Sequence, residues 1–195
     1  RMNPADYKAP YYLGNFWYAH RRYEEAISCW EKSVEINNQF PTALRNLSLA
    51  YYNKRNKKEE ARQLLEKAFE LDKTDSRIFM ELDQLYKKMG RAHVERLALL
   101  EEHLDLVEQR DDLCIERITL YNLLGDYEKA KDLINKTDKK RASYYNYYTN
   151  KKWGEAASYE LCLNSSELGV QGTAKAIEQY ILLKESIEKE ARNIV

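Results

Sequence analysis

The residue types from which most catalytic and metal sites are built are scattered along this chain. The histidines are His20, His93 and His103, and the cysteines are Cys29, Cys114 and Cys162. No cysteine pair has the spacing of a metal site or of a disulfide framework, and no two histidines lie close enough to form a metal pair on one helix. A Gly-rich phosphate loop and a nucleophile elbow are also absent from the sequence. We therefore expect a protein that is not an enzyme and that needs no metal or cofactor.

Charge and composition limit the kinds of partner that the chain is expected to bind. The chain holds 32 Lys+Arg and 32 Asp+Glu residues, so its net charge is zero, whereas proteins dedicated to nucleic-acid binding usually carry a basic excess. No apolar run approaches the roughly 20 residues of a membrane span. Together with an odd number of well-separated cysteines, these features predict a cytoplasmic protein that binds neither nucleic acid nor membrane.

The composition predicts that helices position the functional surface of the chain. Gly and Pro number only 6 and 3, which favours helices over sheets and tight turns. Large aromatic residues recur along the sequence at steps of 34, 35 and 35 residues, at Trp17, Tyr51, Tyr86 and Tyr121. Such a period is typical of stacked helical hairpins, in which no single helix can bury its apolar stripe alone. We expect each of these aromatic residues to end the first helix of a hairpin.

Small residues follow the same period early in the second helices, at Ala26, Ala61 and Ala130. A small side chain there lets two helices approach closely, and the aromatic residue packs into the groove that it leaves. In the third hairpin, Glu95 stands where alanine is expected. Gly90 and Gly125 fall in the predicted turns between helices, where a positive φ is common.

The motifs that carry these periods resemble those of the tetratricopeptide repeat. They are "YLG" from Tyr12, "RYEEAI" from Arg22, "KAFELD" from Lys67 and "LGDYEKA" from Leu124. The resemblance covers roughly residues 3–136 and implies an all-α fold, a right-handed helical-hairpin solenoid whose function is protein–protein interaction. Longer stretches such as "FPTALRNLSLAYYNK" look like large bacterial tetratricopeptide proteins that carry an uncharacterised β-rich domain and have no assigned activity.

The resemblance also divides the chain. We expect a repeat array over residues 1–136, with units at about 7–40, 41–74, 76–109 and 111–136, and with residues 1–6 as the tail of a preceding unit. Residues 137–163 can be aligned as a degenerate fifth helical pair. Residues 164–173 form a polar loop in this interpretation, and residues 174–195 form an amphipathic helix that caps the array.

In this architecture, the first helix of each unit lines a concave groove. The residues of the first three units that lie opposite the apolar seam are candidates for peptide binding: Lys8, Tyr11, Asn15, Tyr18, Arg45, Asn46, Leu49, Tyr52, Asn53, Arg77, Met80, Gln84, Lys87 and Lys88. Five of them are cations and none is an anion. The sequence therefore predicts a basic, tyrosine-bearing groove that binds a protein or an acidic peptide.

A known subset of these repeats clamps the terminal carboxylate of chaperones. Asn15 and Asn46 match the asparagines of that clamp, and Arg77 matches one of its cations. However, Tyr11 and Glu81 stand where two further cations are expected. Because a carboxylate needs concentrated positive donors to offset its desolvation, these departures favour a different ligand.

Two other functions stay open. The array can be a purely structural scaffold for neighbouring domains, or it can pair with a second copy as a homodimer. RNA binding is a minor alternative, based on "KKRASYYNYYTNKK" from Lys139, in which tyrosines are interspersed with cations. However, Tyr144, Tyr147 and Tyr148 have helical spacing, which favours packing in a helix seam over RNA stacking.

Overall fold

The computed structural model describes residues 6–192, with side chains up to residue 190, and every regular element in that range is a helix. In chain order, the elements are α1 (Lys8–Ala19), α2 (Tyr23–Ile36), α3 (Pro41–Lys54), α4 (Lys58–Leu71), α5 (Ser76–Lys88), α6 (His93–Glu102), α7 (Leu104–Val107), α8 (Asp111–Leu123), α9 (Tyr127–Thr149), a short 3-10 helix (Ala156–Ser158) and α10 (Ser165–Arg192). The predicted all-α hairpin fold is confirmed. The expected tail of a preceding unit lies, apart from Asp6, outside the described residues.

A continuous apolar core joins the hairpins of α1 to α8. One cluster of buried side chains runs through the later hairpins and includes Leu65, Phe79 and Leu120, while a second cluster lies between α2 and α3. Val34 and Leu64 contact both clusters. Since each hairpin buries its stripe against the next one, the stability of the array comes mainly from contacts between neighbouring units.

Each turn inside a hairpin contains one residue with a positive φ. These residues are Arg21 (60°), Asn56 (53°), Gly90 (77°) and Gly125 (82°). The sequence identified the two glycines but not Arg21 or Asn56, because a non-glycine residue in the left-handed region has no strong sequence signal. The turn geometry is therefore set by the hairpin, and glycine is only the least strained residue for it.

The second helices carry their small residues where the period predicts them. Ala26, Ala61 and Ala130 are buried, and each donates its N–H to the carbonyl four residues earlier, which belongs to the residue just before the helix. In the third hairpin, the residue with this bond is Arg96, which donates to the Ala92 carbonyl at 3.1 Å. The prediction of Glu95 at this position was wrong by one residue, and Glu95 is exposed.

Arg96 is buried because the first helix supplies a matching charge. Asp83 and Arg96 are each 1% exposed, and the guanidinium donates to both carboxylate oxygens, at 2.9 and 2.6 Å. Glu116 of α8 accepts a further bond from Arg96 at 2.8 Å. Burial raises the pKa of Asp83 above its usual value, and the hydrogen bond from Arg96 only partly opposes this effect.

In the first hairpin, a small residue at the equivalent position allows the first and second helices to pack closely. Gly14 stands at the position of Asp83, two units earlier, and a Cβ atom there would lie 2.5 Å from the indole of Trp30. In the second hairpin, Ser48 holds this position, and its hydroxyl donates to the Ala61 carbonyl at 2.6 Å. The three hairpins therefore use glycine, serine and an ion pair at one equivalent place.

The C-terminal part differs from the predicted organisation. The chain divides into two compact units, one up to Ile134 and one from Asn135 onward. The expected helical pair over 137–163 is replaced by the single helix α9, which continues to Thr149 because no Gly or Pro interrupts it, and by the short 3-10 helix. The expected loop over 164–173 is helical from Ser165, with a kink at Gly169, because Asn164 caps this helix by accepting from the Ser166 N–H at 3.2 Å.

The two units also differ in how many of their hydrophobic side chains are buried. Among the described residues, the buried hydrophobic side chains end at Ala130, so the second unit has none of them. The capping role expected for residues 174–195 stays a prediction. No helix within residues 6–192 has both the length and the apolar character needed to cross a bilayer.

Candidate functional site

Polar side chains link the first helices of consecutive hairpins. Asn46 of α3 donates to Asn15 of α1 at 3.0 Å, and Arg45 of α3 donates to Glu81 of α5. Lys87 of α5 donates in turn to Glu116 of α8 at 2.9 Å. We call the candidate residues of α1, α3 and α5, together with Glu81, the first-helix wall.

Two asparagine amides lie at the centre of the first-helix wall. The Oδ1 atom of Asn15 accepts from Trp30 Nε1 at 3.1 Å and from Asn46 Nδ2 at 3.0 Å. The Oδ1 atom of Asn46 accepts from Arg45 Nη1 at 3.1 Å. These bonds fix the orientation of both amides, and they leave the Nδ2 group of Asn15 without a hydrogen bond to any described residue. An Asn15 N–H is thus available to an acceptor such as a peptide carbonyl.

Glu81 changes the charge that was expected for this surface. Its carboxylate accepts two hydrogen bonds from Arg45, and it lies 3.5 Å from Arg77 Nε. The side chains of Arg45 and Glu81 are 12% and 11% exposed, so this pair is largely withdrawn from water. The expectation of a wall without anions was wrong, because the sequence count considered only one stripe of each helix and left Glu81 outside it.

The remaining cations are more accessible. Arg77 is exposed, and Lys88 Nζ lies 5.5 Å from the centroid of the Tyr52 ring. Lys8 Nζ lies 6.0 Å from the ring of Tyr7, while Lys87 is paired with a carboxylate of the next hairpin. Cations still outnumber carboxylates on the first-helix wall, and Lys8, Arg77 and Lys88 are its exposed cations without a close hydrogen-bonded carboxylate among the described residues.

The other candidate residues lie singly along the wall. Tyr11 packs edge-on against Phe40, with ring centroids 5.0 Å apart, and Tyr18 packs on Trp30 at 5.4 Å. Leu49 and Met80 are half-buried, and Asn53 and Gln84 are exposed. The structure thus links Asn15, Asn46 and Arg45 in a row of hydrogen bonds that ends at Glu81, which Arg77 also contacts. It uses Tyr11 and Tyr18 mainly in helix packing.

A second periodic set of contacts was missed in the sequence. The aromatic residue that ends a first helix donates its hydroxyl to a glutamate of the preceding hairpin, 20 residues earlier. The pairs are Tyr51–Glu31 (2.6 Å), Tyr86–Glu66 (2.7 Å) and Tyr121–Glu101 (2.7 Å). The signal was present, because both the tyrosines and the glutamates recur every 35 residues.

Burial and these bonds keep the tyrosines protonated. Desolvation, with a further contribution from the bond to Glu31, raises the pKa of Tyr51 to about 12. Desolvation and the bond to Glu66 likewise raise the pKa of Tyr86 to about 12. We call this set of three pairs the Tyr–Glu ladder, and it joins neighbouring hairpins.

The tyrosine cluster of α9 is not in a seam. Tyr144, Tyr147 and Tyr148 are 67%, 77% and 67% exposed, so the packing expected from their spacing was wrong. Tyr148 contacts both of the others, with ring centroids 4.5 and 5.0 Å apart. The cluster lies in the second unit, where the described residues form no buried core.

Two families match parts of the chain. Residues 42–71 match the family described as Tetratricopeptide repeat, and residues 103–167 match the Cytidylate kinase-like family. The second match begins one residue before α7 and continues into α10. It contains no Gly-rich phosphate loop, the element with which a kinase of the P-loop type holds its nucleotide.

Solved structures of the same hairpin architecture cover most of the chain. The crystal structure of MamA has a TM-score of 0.59 and 20% identity, over 71% of this chain and 82% of that one. The Arabidopsis OM64 TPR domain has a TM-score of 0.52 and 18% identity, over 62% and 98%. The first TPR domain of Spaghetti (RPAP3), solved with the HSP90 peptide SRMEEVD, has a TM-score of 0.53 and 18% identity, over 64% and 97%. At these identities the likeness establishes the fold.

Proposed function

We propose that this chain, whose helical hairpins resemble the tetratricopeptide repeat, binds an extended segment of a partner protein along the first-helix wall. The observation that carries this proposal is the row of hydrogen-bonded side chains that crosses three hairpins, from Trp30 through Asn15, Asn46 and Arg45 to Glu81. A row held in this way orients its outward N–H groups before a ligand arrives, which lowers the entropy cost of binding.

The chemistry of the wall suits the main chain and the acidic side chains of a peptide. The free amide N–H groups of Asn15 are donors for a backbone carbonyl. Acidic side chains would meet Arg77 and Lys88, which are exposed, rather than Arg45, which Glu81 already neutralises. The RPAP3 domain, which has this fold, holds a peptide with three acidic residues in its sequence, SRMEEVD, and an acidic ligand is proposed here by analogy.

The test is a titration of labelled acidic peptides, followed by fluorescence anisotropy at low and moderate salt. We expect the double variant Arg77→Ala, Lys88→Ala to weaken binding at least fivefold, because it removes two of the exposed cations of the wall. Glu81→Gln should tighten binding, because it leaves Arg45 without its carboxylate partner. Glu70→Gln is the control, since Glu70 lies on α4 and pairs only with Lys73 among the described ion pairs. An affinity that neither wall variant changes would contradict the proposal, and so would the absence of binding at both salt concentrations.

A second function, self-association, is favoured by an exposed face of α1. Leu13 and Phe16 are 46% and 49% exposed, whereas the equivalent residues of the next hairpin, Leu47 and Ala50, are 3% and 1% exposed. Leu47 and Ala50 are buried because they pack in a cluster with Trp30 of the preceding hairpin. Within the described residues of the first unit, no helix covers this stacking face of α1, and we propose that a second copy of the chain packs on it.

Sedimentation velocity at several protein concentrations tests this second function. We expect the sedimentation coefficient of the unmodified chain to rise with concentration and that of Phe16→Glu to stay constant, because a buried charge opposes the contact. Val94→Glu is the matched control, since Val94 is also a large exposed side chain but lies on α6. Equal behaviour of the unmodified chain and Phe16→Glu would rule out the α1 face as the interface.

A further inference from the structure

An apolar pocket opens between the second helices of the first two hairpins, away from the first-helix wall. Its volume is about 510 Å³, and its floor is formed by Val34, Leu47, Leu64 and the ring of Tyr51. Val34 and Leu64 are only half-buried, so their side chains are accessible from the pocket. We call this site the outer pocket.

Carboxylates surround the opening of the outer pocket. Glu31, Glu35 and Glu60 line it together with a single cation, Lys67. Glu31 is already engaged, because it accepts from the Tyr51 hydroxyl and from Arg55. Glu35 and Glu60, by contrast, are exposed and form no hydrogen bond or ion pair with a described residue. The rim therefore presents two exposed carboxylates without a direct partner among the described residues, beside one lysine, above an apolar floor.

The next hairpin shows why the pocket exists here. The residue equivalent to Val34 is Phe69, 35 positions later, and Phe69 is 5% exposed and packs on Phe79. Valine lacks the aromatic ring that fills the corresponding space between the later helices. The residue equivalent to Glu35 is Glu70, which pairs with Lys73 at 3.1 Å. At the second junction, therefore, an aromatic ring fills the equivalent space and the equivalent carboxylate is paired.

We propose that the outer pocket binds an apolar side chain of a partner protein, presented by a segment in which lysine or arginine flanks that side chain. The apolar residue displaces water from the floor formed by Val34 and Leu64, and the flanking cations pair with Glu35 and Glu60. Charge complementarity selects this ligand class, since the acidic segment proposed for the first-helix wall would be repelled by the rim. The outer pocket is therefore a second binding site, independent of the wall.

The probe is a set of fluorescein-labelled peptides with a central Leu or Phe between lysines, compared with peptides that carry Ala at the centre or Glu at the flanks. We expect only the Lys-flanked Leu and Phe peptides to bind the unmodified chain. Val34→Phe should weaken this binding at least tenfold, because the ring of the new residue occupies the pocket. Its thermal unfolding is measured in parallel, and we expect a Tm equal to or above that of the unmodified chain, as Phe69 already serves at the equivalent position.

Charge variants separate the rim from the floor. Glu35→Gln with Glu60→Gln should lower the affinity for the Lys-flanked peptides about tenfold and reduce its salt dependence. Glu70→Gln is the matched control and should leave the affinity unchanged. A folded Val34→Phe chain that binds as tightly as the unmodified one would overturn the proposal, and so would failure of the Lys-flanked peptides to bind at all. Loss of acidic-peptide binding in Arg77→Ala, Lys88→Ala with intact outer-pocket binding would show that the two sites are separate.

Discussion

Single side chains in the third hairpin show how one packing position accepts different chemistry. Ser48 and Ala61 meet through a hydroxyl–carbonyl bond in the second hairpin, and Asp83 and Arg96 meet through an ion pair at the same positions in the third. A buried ion pair contributes little net stability, because desolvation offsets most of the attraction. The raised pKa of Asp83 has the same physical cause, since burial outweighs the effect of Arg96 there.

This comparison predicts a non-additive pair of substitutions. Arg96→Ala alone should destabilise the array by about 3–5 kcal/mol, because it leaves the Asp83 carboxylate buried and unpaired. Adding Asp83→Ser recreates the Ser48–Ala61 arrangement and should restore much of that loss. Chemical denaturation of both single variants and the double variant measures the coupling. A double variant as unstable as the sum of the single ones would show that the pair does not act as a unit.

The sequence could not reveal this pair. Arg96 follows Glu95 in a helix rich in charge, and a charged residue near the start of a helix normally indicates a solvated face. The partner carboxylate is 13 residues away, on another helix, and nothing in its neighbourhood marks it as buried. By contrast, Ala26 and Ala61 were assigned correctly, because a small residue at a fixed period has a direct steric meaning.

At the scale of whole elements, opposite substitutions in two hairpin turns test how much the positive φ of each turn affects stability. Gly90→Ala should lower the free energy of unfolding by about 1–2 kcal/mol, because a φ of 77° strains a residue that has a Cβ. The added Cβ would meet no atom within 4 Å, so no steric clash adds to this cost. Arg21→Gly should increase stability by a smaller amount, because relief of strain at a φ of 60° is partly offset by the entropy of glycine in the unfolded chain. Thermal unfolding of both variants gives the signs, and a loss of stability in Arg21→Gly would contradict this account.

Helices were predicted more reliably than the segments that join them. The period placed the helices between Lys8 and Leu123 because each must bury an apolar stripe against its neighbour. Beyond Ala130 no described hydrophobic residue is buried, so the sequence pattern there no longer reflects packing. The prediction of a loop at Ser165 was wrong, because the polar, glycine-bearing composition of "NSSELGVQGT" conceals the helix cap that Asn164 provides.

Across the array as a whole, the Tyr–Glu ladder repeats one contact at every junction between hairpins. The period of 35 residues predicts the fold, but it did not reveal the function of the glutamates, since acidic residues on a helix usually lie on its solvated face. The candidate binding residues lie on the first helices, as the same period predicts, and their binding role stays a prediction. Their mutual contacts, above all that of Arg45 with Glu81, depend on side-chain geometry that no spacing rule provides.

The ladder predicts a loss of stability at alkaline pH. In the folded chain the pKa of Tyr86 is raised to about 12, whereas an unfolded tyrosine ionises near pH 10. The unfolded state therefore releases its protons first, so this contribution is complete below about pH 10 and is lost as the pH rises toward 12. Tyr86→Phe removes the ionisable group, and it should cost about 1 kcal/mol at pH 7 through the lost hydrogen bond while reducing the further decline between pH 9 and pH 11.

The measurement is the free energy of unfolding of the unmodified chain, Tyr86→Phe and Tyr12→Phe at pH 9 and pH 11. Tyr12 is 65% exposed and forms no carboxylate bond with a described residue, so Tyr12→Phe should decline as steeply as the unmodified chain. Lysine deprotonation affects all three proteins alike, and therefore the difference between them isolates the ladder. If Tyr86→Phe declines as steeply as the other two, burial and the bond to Glu66 do not hold Tyr86 in its protonated form.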